Sequence, residues 1–255
     1  MKGDSASARL AALGPFFAAE VHAADADGAG AEPGAPWRPM AELLDDPDVL
    51  DARVEAVRGY LAAGAGIAPE ALPVRVAASV MHLGLVARTL SPLFALTVSG
   101  RGLGPVGLGD LYWQPALGSM FALSIPDPDH RRTDADTAAH DAGSRGCDGT
   151  LIPPSARELC AMMGRFSLSP RILRGNLASA LAGARTALAA AEPSLAWRAQ
   201  DELGRWLADP FLTGTWRITV EGRFQRRSCC LLYQAAPDRK GPVCGDCVLL
   251  RPIDF

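Results

Sequence analysis

Residues 169–224 read SPRILRGNLASALAGARTALAAAEPSLAWRAQDELGRWLADPFLTGTWRITVEGRF. Ser169-Pro170 is a helix start: the serine caps, and the proline takes the first helical position, where no N–H is needed. Leu173, Leu177, Leu181, Ala184 and Leu188 then recur at helical spacing and stop before Pro193. Ser194 is expected to cap a second helix with Leu195, Ala199, Leu203 and Trp206 on one side. After Pro210 the period shortens toward two, and residues 215–224 alternate as a strand does. Helices that give way to a strand predict an α+β chain.

The same reading extends outward. Residues 155–166 form a helix behind Pro153-Pro154. Residues 126–152 are polar, with too few apolar side chains to repay ordering, and read as a mobile loop. Two short strands are expected near 111–113 and 120–125, joined through Pro115 and Gly118. Residues 74–98 predict an apolar helix with Val76, Val80, Leu83, Ala87 and Leu90 on one face, broken or kinked at Pro92. A helix over 48–63 carries Leu50, Val54, Val57 and Leu61 and stops at Gly64. Residues 5–23 place Leu10, Leu13, Phe17 and Val21 at helical spacing, and 24–36 break the pattern.

The chain has 255 residues, is 49% hydrophobic and 21% charged, and carries a net charge of -3. It can build a core. It lacks the basic excess of a general nucleic-acid binder, so no nucleic-acid partner is expected. The most apolar stretch is interrupted by Arg75, His82, Arg88 and Pro92, so no transmembrane segment is expected. The first residues carry no apolar signal core, which predicts a cytoplasmic protein with reduced thiols.

Four of the six cysteines fall together. Residues 226–250 read RRSCCLLYQAAPDRKGPVCGDCVLL, a C-C pair, thirteen residues, then C-x2-C. Four thiolates from two short segments make a soft-metal site. Neighbouring Cys229 and Cys230 would point to opposite faces of a regular strand, so both reach one centre only if the backbone bends. A Rieske centre needs two histidines, and the nearest, His140, is far away. Structural zinc favours two C-x2-C-like knuckles, and C-C is a poor one. An all-cysteine [2Fe-2S] cluster on Cys229, Cys230, Cys244 and Cys247 fits the inventory best, with zinc as the alternative.

The run 226–233, RRSCCLLY, followed by Cys244-Gly245-Asp246-Cys247, resembles the C-terminus of the FhuF-type ferric-siderophore reductases. Weaker similarity touches GNLASAL at 175–181, LGLVAR at 83–88 and Leu111-Tyr112-Trp113. The gap between Cys230 and Cys244 is longer than the family's. The resemblance implies a [2Fe-2S] protein that gives one electron to a ferric siderophore of the hydroxamate type, releasing Fe(II) in the cytoplasm. It also implies an electron donor such as a ferredoxin or an NAD(P)H-dependent reductase. Other readings of the same cysteines are a zinc- or iron-sulfur-binding regulatory or redox-sensing protein, and an electron shuttle without its own substrate. Weak membrane association is left open.

The expected architecture is a single domain, 1–255: a predominantly α-helical body with a small antiparallel β-sheet and a C-terminal cysteine-rich segment. Residues 1–40 form a variable N-terminal extension, 74–215 a mainly helical body with short strands near 111–125, and 216–255 the cluster-binding segment. Arg226 and Arg227 are candidates to offset a negative cluster or hold an anion, against an ordinary solvated edge. Trp113, Trp216 and Tyr233 are candidates to line a substrate groove, against simple packing. Asn176 is expected to tie its helix to a neighbouring loop by hydrogen bonds. Cys160, beside Met162 and Met163, reads as a buried small hydrophobe. His130, His140 and Cys147 share a loop but fit no standard metal spacing. From residue 216 onward seven bases face four acids, which leaves an excess of +3 there and -6 on the rest.

Overall fold

The structure, a computed structural model, describes residues 5–23, 36–116, 121–128 and 150–250. The expected loops at 24–36 and 126–152 lie almost wholly outside the described residues. So do His130, His140, Cys147 and the beginning of the second expected strand.

The chain is α+β. Helices α1 (Ala6–Ala12), α2 (Glu42–Asp45), α3 (Pro47–Ala65), α4 (Val74–Val98), α5 (Pro154–Ala161), α6 (Pro170–Ala191) and α7 (Ala196–Leu207) surround one core. Strands β1 (Glu20–His22), β2 (Arg38–Pro39), β3 (Tyr112–Gln114) and β4 (Ala122–Pro126) form a sheet of order β1-β4-β3-β2. It is antiparallel over β2, β3 and β4, while β1 adds in parallel, Glu20 opposite Ser124. A separate hairpin pairs β5 (Trp216–Ile218) with β6 (Phe224–Arg226).

Helix α4 is the central element. Its length and composition would suffice to cross a bilayer, but 72% of its most apolar window is buried inside the protein, largely against α6 and α3. It runs unbroken through Pro92. The proline ring removes only the N–H that would reach the Arg88 carbonyl. The surrounding core holds the helix together at that point, where Pro92 is itself buried. Arg88 is buried too. Its guanidinium donates to the carbonyls of Phe121 at 3.0 Å, Phe16 at 3.3 Å and Ala18 at 2.6 Å, stapling the N-terminal segment and the start of β4 to α4. Burial pulls Arg88 down to about 10, and the three carbonyls account for its polar needs.

Three sequence expectations move. The single helix over 5–23 ends at Ala12, because Gly14 takes φ 111 and Pro15 follows; Val21 then joins strand β1. Helix α3 stops not at Gly64 but at Gly66, whose φ of 65 gives the left-handed cap. The alternating run at 215–224 is two strands, with Thr219 and Gly222 forming the turn between them.

Helix α6 positions the cysteine segment. Ser169 caps it as expected, its Oγ accepting from the Ile172 N–H. Strand β6 packs on α6 near Gly175, where a Cβ would collide with Ser228 Oγ. The glycine therefore brings the residue before Cys229 directly onto the helix.

Candidate metal centre

Four elements set the cysteines. Strand β6 delivers Cys229 and Cys230. Leu231 then takes φ 69, a left-handed bend that turns the chain directly after the C-C pair. A short 3-10 turn, Leu232–Ala235, carries the chain away, and the long gap closes back through Gly241, whose N–H donates to the Tyr233 carbonyl at 3.0 Å. Between them Asp238 Oδ1 accepts from the Lys240 N–H. The lengthened gap is thus a folded loop. The second pair sits on a turn closed by the Cys247 N–H on the Cys244 carbonyl at 2.9 Å.

The sulfurs converge. Cys230 and Cys244 are 3.3 Å apart, Cys229 and Cys247 are 3.8 Å apart, and Cys229 also bonds to Cys230. Each close pair takes one sulfur from the C-C segment and one from the C-x2-C turn. Backbone N–H groups add to both: Leu231 donates to Cys229 Sγ and Leu249 to Cys247 Sγ. None of the four is in a disulfide. Hydrogen bonds from Cys229 and Cys244, with the Arg226 charge behind them, hold the Cys230 thiol well below its ordinary range. The hydrogen bond shared with Cys229 lowers the Cys247 thiol. Their donors go the other way: sharing a proton with Cys230 pushes Cys229 and Cys244 up.

Arg226 lies directly behind the sulfurs and is fully buried, 0% exposed. Its backbone N–H donates to the Asp246 carbonyl at 3.0 Å, and its Nη2 stands 3.0 Å from Asp246 Oδ1. Nη1 donates to Asn176 Oδ1 at 3.1 Å. Nε and Nη2 have no hydrogen-bond partner of sound geometry, and the Cys244 sulfur is the other acceptor at hand. Burial opposes the charge, but Asp246, Cys230 and Cys244 together raise Arg226 above its ordinary value. A buried cation with spare donors is costly unless negative charge sits beside it. Thiolates around a metal supply that charge, and such N–H donors tune the centre they face.

The donor set therefore fits a thiolate metal centre. Among the described residues no group of three or more His, Cys, Asp or Glu side chains is set to close on one ion. The sulfurs run as a chain of close neighbours, in two pairs. Four thiolates so placed could hold either a single tetrahedral ion or a two-iron cluster, in which each iron takes two.

The remaining candidates fall in different places. Arg227 is exposed, and only its backbone is held, by the Thr215 carbonyl. Tyr233 is half-buried in the turn after the C-C pair, its hydroxyl accepting from Gln234. Trp216 stacks on Phe224 in the hairpin. Trp113 belongs to the sheet core, edge-on to Phe121, with Nε1 donating to Glu42. It also floors an open cleft of about 450 Å³, with the Arg53 guanidinium 4.5 Å above its ring. Gln225 and Asp246 escaped the sequence reading. Gln225 Nε2 donates to the Cys247 carbonyl at 3.0 Å while its Oε1 accepts from Arg217. Only their place between cysteines and arginines could have marked them.

Cys160, His82 and Asn176 line up like a nucleophile, a base and an orienting amide, with His82 Nε2 3.6 Å from Cys160 Sγ and His82 Nδ1 3.4 Å from Asn176 Nδ2. The hydrogen bonds forbid that role. Asn176 Oδ1 faces Arg226, so Nδ2 must donate to His82 Nδ1, and Nε2 carries the proton toward sulfur. His82 is a donor to Cys160, not its base. Burial brings His82 to about 3 and pushes the Cys160 thiol up to about 12, so both stay neutral.

No family model, curated protein or solved structure matches this chain.

Proposed function

We propose that the protein is a [2Fe-2S] reductase of ferric siderophores, working in the reducing cytoplasm. The observation that carries this reading is the pairing of four sulfurs in front of a fully buried Arg226 with spare N–H donors. Cys229, Cys230, Cys244 and Cys247 would hold the cluster, which supplies a reversible one-electron carrier whose potential follows charge, hydrogen bonding and exposure. Hydroxamate siderophores bind Fe(III) through hard oxygens and hold Fe(II) far less tightly, so a single electron releases the metal with no bond cut in the ligand. Fe(III)-siderophore plus one electron gives Fe(II) and free siderophore. The chain's part is to keep the sulfurs near the surface, and Cys229 and Cys244 are only half-buried. Arg226 offsets the negative charge.

The experiment is rapid anaerobic mixing of reduced protein with ferric hydroxamate and catecholate complexes, with a ferrous chelator present. The reading expects faster reoxidation with the complexes than without, and chelated Fe(II) in step. Reoxidation no faster with any complex would favour a shuttle or a sensor.

The electron's source, on this reading, is an acidic carrier protein such as a ferredoxin. The hairpin and cysteine loops, residues 216–250, hold six bases against three acids. Val220, at the hairpin tip, is 98% exposed, and Ile218, Val243 and Leu249 are exposed as well. A groove of about 300 Å³ runs from this hairpin to Gly245 in the C-x2-C turn. Apolar contact beside a basic rim suits a charged redox partner whose docking weakens with salt. Electron transfer from a reduced ferredoxin should slow as salt rises and in Arg239→Glu/Lys240→Glu; a rate indifferent to both would remove this partner.

A further inference from the structure

We propose that Asn176 is a positioning residue of the four-cysteine centre: by holding Nη1 of Arg226, it keeps the guanidinium turned toward the sulfurs of Cys230 and Cys244. The inference rests on the reading of that centre as a [2Fe-2S] site.

A guanidinium is planar, with five N–H donors in a fixed fork, so fixing one nitrogen fixes the plane. Arg226 is approached from two sides. Asp246 stands 3.0 Å from Nη2, and Asn176 Oδ1 takes Nη1 at 3.1 Å. Were Asn176 absent, the fork could turn onto the carboxylate of Asp246 and form the two-pronged pair that arginine and carboxylate favour. With Nη1 held by Asn176, Nη2 keeps its ion pair with Asp246 without a well-aligned hydrogen bond, and Nε has no partner but the sulfurs nearby.

Asn176 is itself held. Its Nδ2 donates to the Ser79 carbonyl at 3.1 Å and lies within 3.3 Å of Ser79 Oγ and 3.4 Å of His82 Nδ1. All its neighbours on α4 therefore receive from the amide nitrogen, which leaves the amide oxygen for Arg226. The orientation needs no outside choice. From Arg226 through Asn176 and His82 to Cys160, every donor points the same way, and hydrogen bonds in such a chain polarise one another. Two helices, α4 and α6, thus brace one nitrogen of an arginine on a strand some fifty residues further along the chain. A purely structural tie between helices would not need the amide oxygen, which is the atom given to Arg226.

The consequence is electronic. N–H donors aimed at cluster sulfurs stabilise added negative charge and so favour the reduced form. The test is a redox titration of iron-loaded protein against a reference dye, together with iron content, circular dichroism and melting temperature. Asn176→Asp keeps the size but puts a carboxylate on Arg226. It should raise the ratio of oxidised to reduced centre at a fixed dye potential at least threefold. Ser79→Ala removes only one of several acceptors for Nδ2 and should leave the ratio within experimental scatter. A folded, iron-loaded Asn176→Asp protein with an unchanged ratio would overturn the inference. Where Asn176→Asp fails to fold, Arg226→Lys serves: it keeps the charge but not the fork, and should shift the ratio in the same direction; no shift would overturn the inference equally. Native protein that binds no iron would instead overturn the underlying reading, and the inference with it.

Discussion

Asp246 engages Arg226 twice, its carbonyl accepting the backbone N–H at 3.0 Å and its carboxylate standing 3.0 Å from Nη2. The first contact splices the C-x2-C turn onto the edge of β6. The second answers the charge of a side chain that has no access to water. With Gln225 on the Cys247 carbonyl, Asp246 ties the C-x2-C turn to the strand that leads into the C-C pair.

Replacing Asp246 by alanine keeps the backbone bond and removes the carboxylate. Breaking one partner of a buried pair costs about 3–5 kcal/mol. Asp246 is 22% exposed, so water screens part of that, and a loss of about 1–3 kcal/mol is expected in metal-free protein. Urea unfolding measures it. A change below about 0.5 kcal/mol, the scatter of a surface substitution, would show that Arg226 does not depend on this pair.

Two glycines permit the close approaches that shape the site. A Cβ at Gly241 would lie 2.9 Å from the Tyr233 carbonyl oxygen and 3.1 Å from Ala236 Cβ, both poorly able to move. Gly241→Ala should destabilise by about 1–3 kcal/mol, as overpacking does. At Gly175 the obstacle is Ser228 Oγ, which also donates to the Arg171 carbonyl at 3.0 Å. Gly175→Ala should cost a similar amount, and adding Ser228→Ala should recover part of it. The double-mutant cycle reads this directly. Losses that simply add would mean the two side chains do not meet.

His82 makes the fold sensitive to acid. Its ordinary value is 6.5, and burial lowers it to about 3 in the folded chain. Below pH 6.5 the unfolded chain takes up a proton that the folded chain refuses, so stability falls as pH drops through this window and levels off near pH 3. The slope approaches about 1.4 kcal/mol per pH unit, giving a loss of about 2 kcal/mol between pH 6.5 and 5. His82→Gln should flatten this part of the profile, though its stability at neutral pH will differ. An unchanged slope would place the acid sensitivity elsewhere.

Much of this was legible in the sequence, for reasons that differ by element. Helices α3, α4, α6 and α7 announce themselves by apolar spacing and by caps such as Ser169. The C-C and C-x2-C segments reveal themselves by residue type. Periodicity misled where a turn interrupted it: Gly14-Pro15 split the first helix, and Gly222 folded one apparent strand into a hairpin. Pro92, expected to break or kink α4, does not break it, since dense packing keeps the helix continuous. Asn176 read correctly as a hydrogen-bonding tie, but to α4 and to Arg226 of β6 rather than to a loop; Arg226 lies fifty residues away and no local pattern could name it. The parallel addition of β1 to β4 joins residues about a hundred apart and was illegible for the same reason.

The most direct measurement is the absorption spectrum of anaerobically purified protein, with iron, zinc and acid-labile sulfide assayed on the same sample. The account predicts iron and sulfide in equal amounts and visible bands that bleach with dithionite. Cys229→Ser, Cys230→Ser, Cys244→Ser and Cys247→Ser should each lose or distort those bands, while Cys160→Ser, whose sulfur bonds only to His82, should keep them. A colourless protein carrying zinc, or bands that vanish with Cys160→Ser, would contradict it.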